Sequence, residues 1–134
     1  MTQSGRQAPA TRAQATIGGN IMNASPAMET GGPLLCFDAS AVLRSASGAR
    51  SIGVGDLLAG PGRTTAAPDE LLELVEMAVP HEATGSCYLR LEYRRQMEIA
   101  VVGATAVLTL DGGRVARARV AITALAPTLR RVPA

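Results

Sequence analysis

The residues with the most suggestive chemistry lie near the start of the chain, in the segment T-I-G-G-N from Thr16 to Asn20. Gly18 and Gly19 remove two successive Cβ atoms, so a ligand can come within contact distance of the backbone amides. Successive N–H groups that point into one concavity form an anion-binding nest, which suits a phosphate or a diphosphate. A Gly-Gly pair is also common in ordinary turns, so residue chemistry alone leaves both interpretations open.

Neutral polar side chains surround this glycine pair. Thr16 supplies a hydroxyl and Asn20 an amide, and both groups can bond phosphate oxygens or ribose hydroxyls. Ser25 supplies a further hydroxyl five residues later. The segment therefore predicts a phosphate-bearing ligand held by neutral groups.

Other sites are poorly supported. The segment G-P-G-R-T-T differs from a phosphate-binding Walker loop, because Arg63 replaces the lysine and Leu57 stands where the first glycine belongs. There is no G-x-G-x-x-G or G-x-S-x-G motif, and His81 is expected to be an exposed loop residue. Cys36 and Cys87 have no C-x-x-C partners, so we expect two buried, reduced thiols. No catalytic residue and no metal site are predicted.

Composition limits the function classes further. The chain has 134 residues, enough for one ordinary domain, and 47% of them are apolar, with only three aromatic residues. Its 13 basic residues are all arginine and are spread along the chain, and the net charge is +2. Such a weak field and so few stacking groups argue against nucleic-acid binding. The sequence has no export signal or bilayer-spanning run, so we expect a cytoplasmic protein without membrane contact.

The first half of the chain predicts a loose leader and mixed short elements. Residues 1–14 are polar and without period, which is typical of a leader that does not order itself. The runs A-V-L-R-S-A and R-S-I-G-V-G-D-L-L, joined at S-G-A-R, predict a β-hairpin. The segment L-L-E-L-V-E-M-A-V-P suits a short helix or a strand, and the alternation of Val75, Met77 and Val79 favours the strand.

The second half predicts a sheet. The run C-Y-L-R-L-E-Y alternates, which predicts a half-buried strand with Arg90 and Glu92 on one face and Leu89 and Leu91 on the other. The apolar runs on either side of D-G-G form a hairpin signal, in which Asp-Gly supplies the positive φ of a tight turn. In the second run Arg117 and Arg119 alternate with apolar residues, which predicts a solvated sheet face.

Taken together, these segments resemble a known family. T-I-G-G-N followed by N-A-S-P, then R-R-x-x-E-I-A-x-V-G and A-L-A-P-T in that order, are similar to the FAD-binding medium subunit of molybdenum hydroxylases, the carbon monoxide dehydrogenase and xanthine dehydrogenase family. The similarity runs from about residue 15 to residue 131. It favours the ligand-binding interpretation of the glycine pair.

The resemblance assigns cofactor contacts to particular residues. It implies that Thr16, Ile17, Gly18, Gly19 and Asn20 contact the FAD diphosphate, with Ser25 nearby. Glu29 stands where the family usually has an aspartate that holds the adenosine portion. Leu72 or Leu74 matches a leucine that approaches the flavin, and Arg90 replaces a lysine near the isoalloxazine.

The resemblance also implies an α+β fold. An antiparallel-sheet FAD-binding subdomain is expected over residues 15–86, and a three-stranded antiparallel sheet, the truncated start of a C-terminal flavoprotein domain, over residues 87–134. The family's first FAD subdomain, with its own glycine-rich loop, has no counterpart in residues 1–14, and the C-terminal helices are missing as well.

Two functions follow from the resemblance. The chain is expected to be an oxidoreductase subunit or fragment, inactive alone, that carries FAD and passes electrons from iron–sulfur clusters to an acceptor. Its expected partners are a molybdopterin-containing large subunit and an iron–sulfur small subunit. The alternative is a non-catalytic remnant or assembly piece that no longer binds FAD, because half of a two-sided cleft gives up many contacts with a large cofactor.

Overall fold

The computed structural model describes residues 13–93 and 99–133 of the chain. Most of the predicted leader therefore lies outside the described residues. The described elements, in chain order, are α1 (Ile17–Met22), α2 (Gly31–Cys36), β1 (Ser40–Ser45), β2 (Gly48–Gly53), α3 (Val54–Leu57), β3 (Leu58–Gly60), β4 (Arg63–Thr64), β5 (Leu71–Glu76), β6 (Thr84–Leu91), β7 (Val102–Asp111), β8 (Arg114–Thr123) and β9 (Arg130–Arg131).

Two antiparallel sheets form the framework, and this confirms the predicted α+β class. The first sheet has the strand order β2-β1-β5, and the second has the order β6-β7-β8-β9. Strands β3 and β4 make a separate two-stranded ribbon. The three predicted strands of the second sheet are present as β6, β7 and β8, and the two-residue strand β9 adds a fourth by pairing with β8.

The predicted hairpin of the first sheet is confirmed, but its second strand is shorter than expected. Strands β1 and β2 pair from Ser40 opposite Gly53 to Ser45 opposite Gly48. After Gly53 the chain enters α3, which buries Val54 and Leu57. The segment G-D-L-L was expected to continue the strand. It lies in α3 and the start of β3 because those two apolar residues pack into the core.

Strand β5 is confirmed as a strand, although the predicted alternation is wrong. Its register against β1 shifts between Val42 and Leu43, so that Glu73 is an extra residue in the ladder. Leu72 and Val75 consequently both pack against the core. Met77 and Val79 lie beyond the end of the strand and are exposed.

The hairpin of β7 and β8 is confirmed, with a correction to its turn. Asp111 is the last residue of β7 and pairs with Arg114. The two residues with positive φ are Gly112 (54°) and Gly113 (78°), as a two-residue primed turn requires. The expected role of Asp-Gly therefore falls to Gly-Gly.

Helix α2 lies between the two sheets. Leu34 packs against the first core cluster, which consists of Ile21, Ala39, Ala41, Leu43, Val54 and Leu57. Cys36 packs with Val107 and Ala121 of the second sheet. Gly31 and Gly32, both buried, lie in the first turn of this helix.

Two expectations about single side chains of this region are wrong. Arg119 is only 12% exposed; it ion-pairs with Asp38, and its Nη1 donates to the carbonyl of Cys36 at 2.9 Å. Cys87 is exposed, whereas Cys36 is buried as predicted. Burial raises the pKa of the Cys36 thiol. His81 is exposed, as expected.

The second sheet has an inner face toward α2 and an outer face away from it. The predicted alternation of β6 is confirmed, and the inner face carries Tyr88 and Arg90. The outer face, as we name it here, is apolar and consists of Cys87, Leu89, Leu91, Ala104, Ala106, Leu108, Ala118, Val120 and Ile122. Leu89 is 69% exposed and Leu91 is 59% exposed. None of the helices in the described residues is long and apolar enough to cross a membrane.

Candidate functional site

The segment from Thr16 to Asn20 forms the start of α1. Thr16 has an extended backbone (φ −119°, ψ 155°) and is the N-cap residue, and its Oγ1 accepts a hydrogen bond from the Gly19 N–H at 2.9 Å. The Asn20 N–H donates to the carbonyl of Thr16 at 3.0 Å. Threonine is a favoured N-cap because its side chain satisfies an amide that has no partner within the helix. The glycine pair thus lies in a first helical turn.

The capping pattern divides the amides of this turn into two groups. Those of Gly19 and Asn20 are satisfied locally. Those of Ile17 and Gly18 precede the first bond within the helix, and no acceptor for them is found across residues 13–93 and 99–133. Among the described residues these two amides are left for a ligand, at a place where Ile17 is exposed and Gly18 is half-buried.

The two glycines are required for different reasons. A Cβ added at Gly19 would lie 3.0 Å from Thr16 Oγ1, so glycine at this position already serves the cap. A Cβ added at Gly18 would lie 3.6 Å from Leu72 Cδ2, which is an ordinary contact. The local structure therefore gives no steric reason for glycine at position 18.

Leu72 lies beside the turn. It projects from β5, approaches Gly18 and packs against the first core cluster. Leu74, the other leucine that the resemblance left open, is 43% exposed. Their positions favour Leu72 as the residue next to the glycine turn.

Asn20 and Ser25 hold the connection between α1 and α2. Asn20 Oδ1 accepts a hydrogen bond from the hydroxyl of Thr30, so this side chain ties α1 to the residue before α2. Ser25 Oγ accepts from the Ala27 N–H at 3.3 Å and stabilises a turn. Glu29 is the residue directly before Thr30, so the hydrogen bond from Thr30 to Asn20 holds the backbone next to Glu29.

Glu29 and Arg90 form an ion pair, although they are far apart in the sequence. Arg90 Nη1 donates to Glu29 Oε1, and its Nη2 ion-pairs with Glu92 Oε2. Burial alone lowers the pKa of Arg90, but the carboxylates of Glu29 and Glu92 outweigh that effect and raise it. The guanidinium therefore stays charged although its side chain is only 10% exposed.

Tyr88 lies close to the ion pair of Glu29 and Arg90. Burial raises the pKa of its hydroxyl, and the Glu29 carboxylate adds to the increase. A Cβ at Gly103 would lie 2.6 Å from this hydroxyl and 2.4 Å from Thr123 Oγ1, so glycine leaves the space that Tyr88 occupies.

The structure brings the predicted residues together in two groups. Thr16, Ile17, Gly18, Gly19 and Asn20 lie with Leu72, and Glu29 lies with Arg90. Glu92 was missed by sequence reasoning, although its place two residues after Arg90, just beyond the end of β6, was a usable signal. In the part of the chain that the structure describes, no group of three His, Cys, Asp or Glu residues could hold a metal ion.

Both halves of the chain match known protein families. Residues 7–81 match the family described as the FAD binding domain in molybdopterin dehydrogenase. The chain belongs to this family. Residues 88–134 match a second model, described as the CO dehydrogenase flavoprotein C-terminal domain. The family resemblance inferred from the motifs is thereby confirmed.

The relatives that the chain matches are much longer than the chain itself. It is 32% identical over 121 residues to the xanthine dehydrogenase FAD-binding subunit of Escherichia coli O157:H7, covering 90% of the chain and 41% of that protein. It is also 32% identical to the carbon monoxide dehydrogenase medium chain of Afipia carboxidovorans, with 90% and 41% covered.

A solved structure shows the same fold. Reconstituted CO dehydrogenase from Oligotropha carboxidovorans matches with a TM-score of 0.88 and 30% identity, over 93% of this chain and 43% of that one. The chain thus spans about two fifths of the length of these relatives.

Proposed function

We propose that this chain binds FAD and acts as part of an electron-transfer subunit of a molybdenum hydroxylase. The observation that carries the proposal is the glycine turn at the start of α1, where the amides of Ile17 and Gly18 are left without acceptors among the described residues. This turn lies inside the segment that matches the FAD-binding family. Backbone amides without side-chain cover are the groups that bind a diphosphate closely.

The residues present fit FAD in chemical type. The amides of Ile17 and Gly18 would hold the diphosphate, and Leu72 lies beside them as an apolar contact. The carboxylate of Glu29 would accept hydrogen bonds from ribose hydroxyls, and Arg90 would supply positive charge nearby. When bound, FAD supplies the redox chemistry, and the protein binds and orients it. The chain needs no catalytic acid or base of its own for this function.

The chain has expected partner subunits and an expected boundary between two domains. The relatives of this chain include a medium chain and an FAD-binding subunit. We infer a molybdopterin-containing large subunit and an iron–sulfur small subunit as partners, in the cytoplasm. We also propose that the FAD-binding part covers residues 15–86 and that a second part begins at residue 87.

The first test is the visible absorption spectrum of the whole chain purified with FAD. A stoichiometric flavin band is the expected result, and a colourless protein that ignores added FAD would contradict the proposal for this chain. That second result would favour the alternative, a remnant that packs against partners without cofactor. Co-expressing the chain with a segment that carries the family's first glycine-rich FAD subdomain then separates a split binding site from a lost one.

A substitution at Gly18 tests the role of the turn. We expect Gly18→Ala to weaken FAD binding at least about tenfold, because a methyl group there keeps the diphosphate from the amides; this corresponds to ~1.4 kcal/mol. The fold should tolerate it, since the added Cβ lies 3.6 Å from Leu72. Flavin fluorescence titration gives the dissociation constant.

The control for this experiment is Gly85→Ala. A Cβ at Gly85 meets nothing within 4 Å, so this variant makes the same chemical change away from the turn. If Gly18→Ala and wild type bind FAD with equal affinity, the diphosphate does not bind at this turn. Gly19→Val is less informative, because a Cβ at Gly19 lies 3.0 Å from Thr16 Oγ1 and would disturb the helix cap.

A further inference from the structure

Arg90 lies between two carboxylates that reach opposite ends of its guanidinium. Glu29, from the connection between α1 and α2, pairs with Nη1, and Glu92 pairs with Nη2. Glu92 follows the end of β6 and lies two residues after Arg90, so both side chains leave the same face of the strand. The guanidinium is thus fixed from both sides.

Arg90 has two carboxylate partners in this group. Glu29 and Glu92 both pair with it, although one carboxylate is enough to neutralise one guanidinium. The second carboxylate is partly shielded, because the Glu92 side chain is 27% exposed and its Oε2 is buried against Arg90. Withdrawing a second carboxylate oxygen from solvent costs free energy, so its position calls for a function.

The resemblance gives Glu29 a contact with the cofactor, which would compete with its contact to Arg90. A carboxylate that accepts from ribose hydroxyls has fewer acceptor sites left for a guanidinium. If Glu29 were the only partner, ligand binding would leave Arg90 partly unpaired in a place that is 10% exposed.

We propose that Glu92 is a positioning residue, which holds the Arg90 guanidinium so that Glu29 is able to accept hydrogen bonds from the hydroxyl groups of FAD. This inference rests on the proposed function. It assigns a role to a residue outside the predicted contact set. Glu92 acts through Arg90 and does not itself touch the cofactor.

The binding test is Glu92→Gln in the full chain, titrated with FAD. We expect about tenfold weaker binding, which corresponds to ~1.4 kcal/mol, and no further loss when Glu92→Gln is added to Arg90→Met, because the two residues act as one unit. The control is Glu82→Gln, an exposed glutamate in the connection before β6. Unchanged or tighter binding by Glu92→Gln overturns the proposal, since removing the Glu92 charge would then only reduce repulsion of the diphosphate.

A second measurement needs no cofactor. In ¹⁵N-labelled chain the Arg90 Nε–H signal, assigned by its loss in Arg90→Met, should exchange with solvent several-fold faster in Glu92→Gln than in wild type or Glu82→Gln. If wild type does not bind FAD, the proposed function fails, and the exchange rate alone decides whether Glu92 holds Arg90. Equal exchange rates in wild type and Glu92→Gln overturn the positioning role even if FAD binds.

Discussion

At the scale of single residues, the contact between α2 and the second sheet depends on an absent side chain. A Cβ at Gly32 would lie 2.5 Å from Thr105 Oγ1, and Thr105 is a buried β-branched residue of β7. We expect Gly32→Ala to lower the free energy of unfolding by about 1–2 kcal/mol, because overpacking costs up to about 3 kcal/mol and outweighs the roughly 1 kcal/mol that alanine adds to a helix. Urea denaturation measures it, with Gly85→Ala as the control. A Gly32→Ala variant as stable as wild type would mean that α2 is free to move away from Thr105.

The candidate site was predictable from the sequence where it depends on neighbouring residues. The T-I-G-G-N turn was found from its composition, whereas its helical form was not, because two glycines in one turn disfavour a helix. The threonine cap was the signal for that helix, and its effect is to occupy the Gly19 amide. The pairing of Glu29 with Arg90 spans 61 positions, so only the fold reveals it.

At the scale of elements, the edge of the first sheet is tied to the loop before β5 by a bidentate ion pair. Arg50 of β2 donates from Nε and Nη2 to the two carboxylate oxygens of Glu70, at 2.6 and 2.8 Å. The hydrogen bonds from Arg50, with a further one from the Ala67 N–H, lower the pKa of Glu70 from 4.5 to about 2. This carboxylate thus stabilises the fold above pH 4.5, and its contribution is lost as the pH falls from 4.5 toward 2.

The variant Arg50→Met tests this connection. We expect the pKa of Glu70 to rise toward its ordinary value, and the stability of the variant to depend less on pH between 4.5 and 2. Side-chain carboxyl ¹³C shifts followed by NMR during an acid titration measure the pKa. Arg44→Met serves as a comparison, since Arg44 pairs with Glu73 elsewhere on the same sheet. A Glu70 pKa that stays near 2 in Arg50→Met would show that other groups cause the shift.

Local patterns predicted the hairpins well and the register poorly. Strands β1 and β2, like β7 and β8, are joined by tight turns, so their pairing follows from adjacent residues. The bulge in β5 depends on its distant partner β1, and no alternation within β5 itself indicates it. The position of α3 likewise depends on the packing of Val54 and Leu57 against core residues that are distant in the sequence.

At the scale of the whole molecule, the sequence fixes which side chains share a face but does not determine which face is buried. In the second sheet the inner face carries Arg90 and Arg119, and the outer face is apolar. These two arginines can lie on the inner face because Glu29 and Asp38, which flank helix α2 in the sequence, pair with them. A half-buried strand with charged residues inward is stable only with such partners, which lie far away in the sequence.

The exposed outer face has a measurable consequence. A contiguous apolar surface on a sheet binds hydrophobic dyes, so we expect the folded chain to enhance the fluorescence of 8-anilinonaphthalene-1-sulfonate. Leu89 lies in β6 and is 69% exposed. Leu89→Lys should reduce this fluorescence while changing the free energy of unfolding by only about 0.5 kcal/mol. Val79→Lys is the matched control, because Val79 is 92% exposed and lies outside the strands. Urea unfolding must remain cooperative in both variants, so that the dye reports the folded surface. Equal dye fluorescence in the two variants would place the dye-binding surface elsewhere on the molecule.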